Sequence, residues 1–540
     1  MIPPWWGPVW RTHACVVSVA GIDRRLDHVA VGLADLLVGM SRLADLGFGL
    51  PAGAALRSCA LATRLARAVD LPDEDVQATF YTALMHHVGC AGYAHETAQL
   101  FGNELVANMA AARTDPASLR DMVATFLPTL TQGRPPMDRA RLTLTALTKG
   151  DRWGSEFTTT ACEVGRDSAR RLQLSQDVQS SLFHVFDMWR GKGGPHSLNG
   201  DDIPIAARIA RLTGIAVLFE SISGTDGAVQ AVRRRAGGML DPNLVACFTD
   251  QAAAWLDDLA ESDVRTVVLD AEPHPRVTLP SQKLVAEVFA DLADLKSPYL
   301  HGHSRAVAAL ASGAAAHLRL REATRDDLEI AGLLHDVGRV AISNAVWDKP
   351  GPLTADEWEL VRLHAYHSER ILAGSAQLER IVPLVGRHHE RLDGSGYHRG
   401  SHGEDLSMAA RILAAADMYR TLTEHRPHRA ALAPEAVQRR VLDEATRGRL
   451  DKDAVDAVLA AAGHPAAARP RPFSGLSERE VEVLALVTQG CSNPEIASRL
   501  VISRRTAEHH VQHIYSKIGV SSRAAATLFA IEHHVLDRDR

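Results

Sequence analysis

"GLLHDVGR" at 332–339 has a partner in "ALMHHVGC" at 83–90, and the pair decides how the chain is read. Each phrase ends a Leu/Ala-rich run with helical spacing, so each predicts an apolar helix that delivers polar side chains at its end. The likeness continues in register. "WRGKGGPHSLNGDDIPIAARIA" at 189–210 matches "LDGSGYHRGSHGEDLSMAARIL" at 392–413 without a gap, and "GGMLDPNLVACF" at 237–248 matches "RGRLDKDAVDAVL" at 447–459. Three matches in one order imply two copies of one domain, 52–255 and 283–463. Residues 1–51, opening on the Trp-rich "MIPPWWGPVWR", read as an N-terminal arm. Residues 256–282 read as a linker because "SDVRTVVLDAEPHPRVTLP" combines prolines with short alternation. The Ala/Pro-rich stretch at 464–472 reads as a second linker, and 473–540 as a third unit.

The coarse pattern is all-α. Apolar residues recur at 3.6 spacing in "LVAEVFADLADL", "AVAALASGAAAHL" and "EAVQRRVLDEA", and capping boxes are expected at Thr354/Glu357 and Ser477/Glu480. A formal net charge of −6 over 540 residues exerts no whole-chain pull toward nucleic acid or membrane, so any such affinity must be local. The six cysteines, at 15, 59, 90, 162, 247 and 491, include no CxxC and suggest neither a zinc knuckle nor a disulfide framework. No run approaches the length of a membrane span, and "MIPPWWGPVWR" lacks the basic n-region expected of a signal peptide. A cytoplasmic protein without a membrane partner is expected.

Chemistry concentrates in the second copy. His303, His335, Asp336, His364, His388, His389 and Asp417 punctuate helix-forming sequence, and imidazole with carboxylate suits iron, manganese or zinc. Adjacent residues on a helix diverge by about 100°, so His335 and Asp336 are expected to reach different ions, or Asp336 to bridge two. The absence of thiolate points away from structural zinc. Two ions held together suit phosphoester hydrolysis.

At this point the residues resemble a family. "SPYLHGHSRAV", "LLHDVGR", "LHAYHSERIL", "RHHERLDGSGYHRG" and "AARILAAADMYRTL" make the second copy similar to HD-GYP phosphohydrolases of the HD superfamily. The resemblance implies a helical bundle holding two or three divalent transition ions, iron or manganese, and hydrolysing cyclic-di-GMP or a related phosphoester. By the same resemblance the metal ligands would be His303, His335, Asp336, His364, His388, His389 and Asp417, and the catalytic residues Asp336 and Arg339. Arg339, Asp393, Gly394, Gly396 and Tyr397 would meet substrate, the glycines permitting a tight turn with positive φ. Two positions depart from the family pattern. Arg339 stands where it has lysine and His398 where "GYP" has proline, and the arginine keeps charge while changing reach and shape.

The first copy keeps His86 in the place of His335 but has His87 for Asp336, Cys90 for Arg339, Cys162 for His364, Val185 and Phe186 for the histidine pair, and Gly214 for Asp417. Apolar side chains donate nothing to a metal, so this copy is expected to be degenerate: a packing or dimerisation partner, or a pocket that senses a small ligand.

Residues 475–530 read as four short helices, with Asn493 capping ahead of Pro494 and Ser503 capping the next helix. This unit resembles the LuxR/FixJ-type helix-turn-helix, which implies a support helix at 493–500, a recognition helix at 504–517 and dimeric binding to duplex DNA. Arg504, Arg505, Thr506, Glu508, His509, Gln512 and Lys517 would face the DNA, and Val481, Leu484, Leu486, Ile496, Leu500, Val511, Ile514 and Ile518 would form the core. The expectation is a homodimeric regulator whose metal domain cleaves a phosphoester or cyclic nucleotide. The alternative is a domain that binds a nucleotide or metal as a sensor without catalysis.

Overall fold

The structure is a computed structural model that describes residues 31–116, 118–464, 476–520, 526, 529 and 530. Most of the Trp-rich arm and of the 464–472 linker lies outside them. The described chain is all-α save for Val31–Gly32, which pairs antiparallel with Thr278–Leu279.

The chain forms two compact units. One comprises the described residues up to Gly302 with Leu333–Val382; the other comprises His303–Gly332 and the described residues from Pro383 onward. The division therefore does not follow the expected copy boundaries. Buried polar contacts in the first unit explain why. Glu104, from the first copy, accepts hydrogen bonds from Ser343 Oγ at 2.6 Å and the Asn344 backbone at 2.9 Å, and lies 3.1 Å from Lys296 Nζ. Lys296 donates in turn to the carbonyls of Val340 (2.6 Å) and Ile342 (2.8 Å). Burial pulls the Lys296 pKa below its ordinary value, against the opposing pull of Glu104. Both charges are shut off from water, so the pair is sustained by these extra hydrogen bonds.

Helix Leu33–Phe48 is the other organiser of this unit. Thirteen of its 16 residues are buried, so the helix belongs in a core rather than in an arm. It packs against the turn Val88–Tyr93 of the first copy and Val337–Ala341 of the second. The segment expected as a linker is likewise built into the unit. It holds helix Val264–Ala271, the second short strand, and Glu272, which accepts a 2.9 Å hydrogen bond from Tyr81. Prolines mark its turns without loosening them.

The repeat extends to individual hydrogen bonds. Gly200 N–H donates to the Trp189 carbonyl and Gly403 N–H to the Leu392 carbonyl; Gly191 donates to Met188 and Gly394 to Arg391. Arg208 reaches Asp241 at 2.8 Å and Arg411 reaches Asp451 at 2.9 Å. At the opening phrases, His87 (φ −102, ψ 5) and Asp336 (φ −101, ψ 6) share one backbone conformation.

In the second unit, helix His303–His317 packs against Met408–Thr423 and Lys452–Ala461 through small side chains. Its C-terminal part has a core of its own. Leu484, Ile496, Val511 and Ile514 are buried there, with Val481, Leu486, Leu500 and Ile518 packed against them. Helices Glu478–Thr488, Asn493–Leu500 and Arg504–Ile518 build it, while most of the expected fourth helix lies outside the described residues. Both expected capping boxes form. The expected Asn493 cap does not: Ser492 is the N-cap, its N–H donating to Glu495, which places Asn493 in the first helical position.

Breaking a buried pair by removing one partner leaves an uncompensated charge, which costs about 3–5 kcal/mol. Glu104→Ala should therefore lower the urea midpoint of the full chain markedly, and Glu104→Leu combined with Lys296→Met should recover most of the loss. Equal midpoints for Glu104→Ala and wild type would show that the pair does not hold the unit together.

Candidate metal centre and DNA-facing helix

His335 and Asp336 lie not within a helix, as expected, but in the turn just beyond Glu322–Leu334, ahead of the 3-10 turn Val337–Ala341. Gly338 makes this turn possible. A Cβ there would stand 2.2 Å from the His364 carbonyl and 2.3 Å from the Ser368 amide, so helix Ala355–Leu372 presses directly on the turn. Gly89 bears the same relation to Ala161 in the first copy. Ser368 locks the contact, its Oγ donating to the His335 carbonyl at 2.7 Å and accepting the Gly338 amide at 2.8 Å.

All seven expected donors except His389 are buried; His389 is partly exposed. His364 Nδ1 lies 2.5 Å from the Val361 carbonyl and His388 Nδ1 lies 2.6 Å from the Val385 carbonyl. A carbonyl only accepts, so each Nδ1 carries the proton and each Nε2 keeps its lone pair for another partner. His364 Nε2 stands 3.3 Å from Asp336 Oδ1. His303 is oriented by a carboxylate instead: Nδ1 meets Glu424 at 2.9 Å, leaving Nε2 3.4 Å from Asp417 Oδ1. His389 Nδ1 is 3.6 Å from Asp417 Oδ2. Asp336 and His364 thus bring ligand atoms together in the first unit, and His303, His389 and Asp417 do so in the second. These His/Asp clusters have the donor chemistry of a transition-metal site.

The Asp336 carboxyl is held well below the usual range: burial works to raise its pKa, but Arg339, His335 and His364 outweigh it. Arg339 donates to Asp336 Oδ2 at 2.7 Å, and its guanidinium stacks 3.8 Å over Trp347, whose ring also meets His364 edge-on. Arg339 is thus braced against the donors. Sequence reasoning missed Trp347 and Glu424, which lie outside the quoted phrases, and Glu390, which lies inside one but bears no local sign of its burial. The buried carboxylate of Glu390 accepts the amides of Arg399 and Ser401, both at 3.0 Å, and so shapes the glycine loop. In that loop Asp393 accepts from the amide and hydroxyl of Ser395 and lies 3.5 Å from Arg449; the Tyr397 ring meets His389 with centroids 4.4 Å apart and planes tilted by 35°. Gly394 has φ +77, as expected. Gly396 does not have a positive φ; its need for glycine is steric, since a Cβ would fall 2.5 Å from Glu390 Cα.

The first copy fills the corresponding space with rings. His86 stacks on His87 at 4.1 Å, His87 on Phe48 at 4.6 Å, and His86 meets Phe186; Gly214 leaves room for the His86 ring, 3.0 Å from where its Cβ would be. Burial lowers the His87 pKa to about 3 and pushes the Cys162 thiol up to about 12.

In helix Arg504–Ile518, Arg504, Arg505, Thr506, His509, Gln512 and Lys517 are exposed and Glu508 is half-buried. Arg504 pairs with Glu508 at 2.9 Å and Lys517 with Glu480 at 2.7 Å, whereas Arg505 has no ion pair among the described residues.

Comparison with known proteins agrees with this geometry. Residues 287–453 match the HD domain model, and 474–530 match that of bacterial regulatory proteins of the luxR family. The chain joins an HD domain to a LuxR-family regulatory domain. It is 29% identical over 405 residues to a 3'3'-cGAMP-specific phosphodiesterase, number 3, of Vibrio cholerae, covering 74% of this chain and 88% of the relative. It is 36% identical to a cyclic di-GMP phosphodiesterase of Pseudomonas aeruginosa over 51% of this chain and 60% of that protein. A crystal structure of a cyclic GMP-AMP specific phosphodiesterase from V. cholerae aligns with a TM-score of 0.55 at 26% identity, covering 80% of this chain and 98% of the other.

Gly338→Ala should destabilise the HD domain by about 1–3 kcal/mol or more, because the intruding methyl meets backbone that cannot step aside. Gly150→Ala, in a helix with open space around it, should be neutral or slightly stabilising. Thermal melts of the two variants that coincide would refute the close-approach argument.

Proposed function

We propose that the HD domain of this chain is a metal-dependent cyclic-dinucleotide phosphodiesterase and that the LuxR-family domain carries its output to duplex DNA in the cytosol. The observation that supports this most is the donor set: at His364 and His388 the Nδ1 proton is committed to a backbone carbonyl, and the Asp336 carboxylate, 3.3 Å from His364 Nε2, is kept ionised. His303, His335, Asp336, His364, His388, His389 and Asp417 would hold two or three divalent ions, iron or manganese. When bound, such ions polarise a phosphoryl oxygen and supply a nucleophilic water at neutral pH. The residues fit that group, with nitrogen and oxygen donors and, in Glu424, a carboxylate behind a ligand histidine.

The remaining work falls to this chain's own side chains. Trp347 and Asp336 fix Arg339, whose Nε has no hydrogen-bond partner among the described residues, so the fork keeps donors for a substrate phosphate. Tyr397, in ring contact with His389, and the Asp393–Gly396 turn would line the approach of the dinucleotide. Binding without turnover is the second reading, and the grip of Arg339 on Asp336 favours it, since a cation already paired is less ready to receive phosphate. A homodimer would present two recognition helices to paired half-sites.

Incubated with 3'3'-cGAMP and with cyclic di-GMP, the metal-loaded wild type should give linear or mononucleotide products, and Asp336→Ala should give none. Binding without product by wild type would select the sensor reading. Arg339→Ala should retain metal while raising KM about tenfold or more, the worth of a charge-assisted hydrogen bond. Unchanged KM would remove Arg339 from the phosphate site.

Arg505→Ala should weaken DNA binding across sequences and reduce the slope of log K against log salt by about 1. Lys517→Ala should do so less, because Glu480 already neutralises part of its charge. An Arg505→Ala slope equal to wild type would move this face off the DNA.

A further inference from the structure

The first copy lost the donors of the metal centre, yet it carries a different set a few residues away. His184, at the end of helix Gln176–His184, and His196, in the glycine loop, both face the buried carboxylate of Asp187. His184 Nδ1 lies 2.9 Å and His196 Nδ1 lies 3.6 Å from the same oxygen, Asp187 Oδ2, and the three ligand atoms fall within 4.8 Å of one another. Bonds of about 2.0–2.1 Å to a tetrahedral ion put neighbouring ligand atoms about 3.3 Å apart, so the observed separations bracket the edge of such a shell.

The repeat shows why these donors are available. Asp187 occupies the place of Glu390, and its Oδ1 accepts the His196 amide at 2.9 Å as Glu390 accepts the Arg399 amide. Glu390 spends its second oxygen on the Ser401 amide. Asp187, shorter by one carbon, turns its second oxygen to the two imidazoles. The residues in the places of His184 and His196 are Arg387 and Arg399, neither of which can ligate a cation. His196 Nδ1 is buried with no hydrogen-bond partner among the described residues, and burial lowers the pKa of its ring, which favours the neutral form that ligates. Asp187 itself is closed to solvent, so an ion held there would bind at the base of the loop rather than at its surface.

We propose that His184, Asp187 and His196 form a mononuclear site for a borderline divalent ion such as Zn²⁺, which braces the glycine loop of the first copy against helix Gln176–His184. Two nitrogens and one oxygen leave a fourth position for water. The site is independent of the HD-domain donors, and its test must be too.

The full-length chain carrying Asp336→Ala and His388→Ala, which cripples the second-copy centre, is titrated with Co²⁺ as a visible probe. About one equivalent should bind with the absorption of a low-coordinate nitrogen/oxygen site, and adding His184→Ala with His196→Ala should abolish it. His184→Cys in the same background should retain cobalt and add a thiolate charge-transfer band, a signal that a merely structural histidine would not yield. No cobalt bound by the background chain, binding that survives loss of both histidines, or a His184→Cys chain without the band would each overturn the proposal.

Discussion

A lysine and a glutamate with no access to water carry the part of the structure on which the site depends. Left alone, either charge would destabilise the core by several kcal/mol, and only their mutual attraction with four further hydrogen bonds makes the arrangement tenable. Those bonds end on the carbonyls of Val340 and Ile342 and on Ser343 and Asn344, directly after the turn that bears His335, Asp336 and Arg339. The first copy, through Glu104, therefore holds the second copy's most reactive turn in place. This gives a duplicated domain that lacks the second copy's donors a reason to persist: its packing is part of the other copy's geometry.

From that fixed turn the chemistry follows by commitment of protons. Each histidine whose Nδ1 is tied to a carbonyl or to Glu424 has a single face left to offer, and at His364 and His303 that face points at a carboxylate. Asp336 is surrounded by groups that favour its anion, although burial alone would protonate it. Arg339 both sustains this charge and competes for it. To serve in the proposed phosphate role, Arg339 would have to share with a substrate the hydrogen bond that it gives Asp336.

Much of this was legible in the sequence because it is local or repeated. The capping boxes at Thr354 and Ser477 need only four residues to be recognised, and the internal match fixed which glycines and arginines would make equivalent bonds. What escaped has a common physical cause. Helix Leu33–Phe48 is buried on nearly every side, so it lacks the polar stripe that announces a surface helix, and it was read as part of an arm. Glu104, Glu424 and Trp347 act through partners distant in sequence or outside any phrase, and nothing in their own neighbourhoods distinguishes them from surface residues. At residues 492–493 two good capping residues stand side by side, and the reach of Glu495 back to the Ser492 amide decided between them.

The two copies separate what a fold requires from what a reaction requires. His87 and Asp336 share φ and ψ to within a degree, Gly89 and Gly338 sit equally close to a crossing helix, and the Arg208–Asp241 and Arg411–Asp451 pairs are interchangeable. These features keep the chain on one path and survive in both copies. The donors do not: stacked rings replace them in the first copy, filling by dispersion the volume that polar side chains occupy in the second. A backbone that tolerates such an exchange places little demand on which polar groups project from its turns. The histidines beside Asp187, absent from the second copy, are the expected product of that freedom.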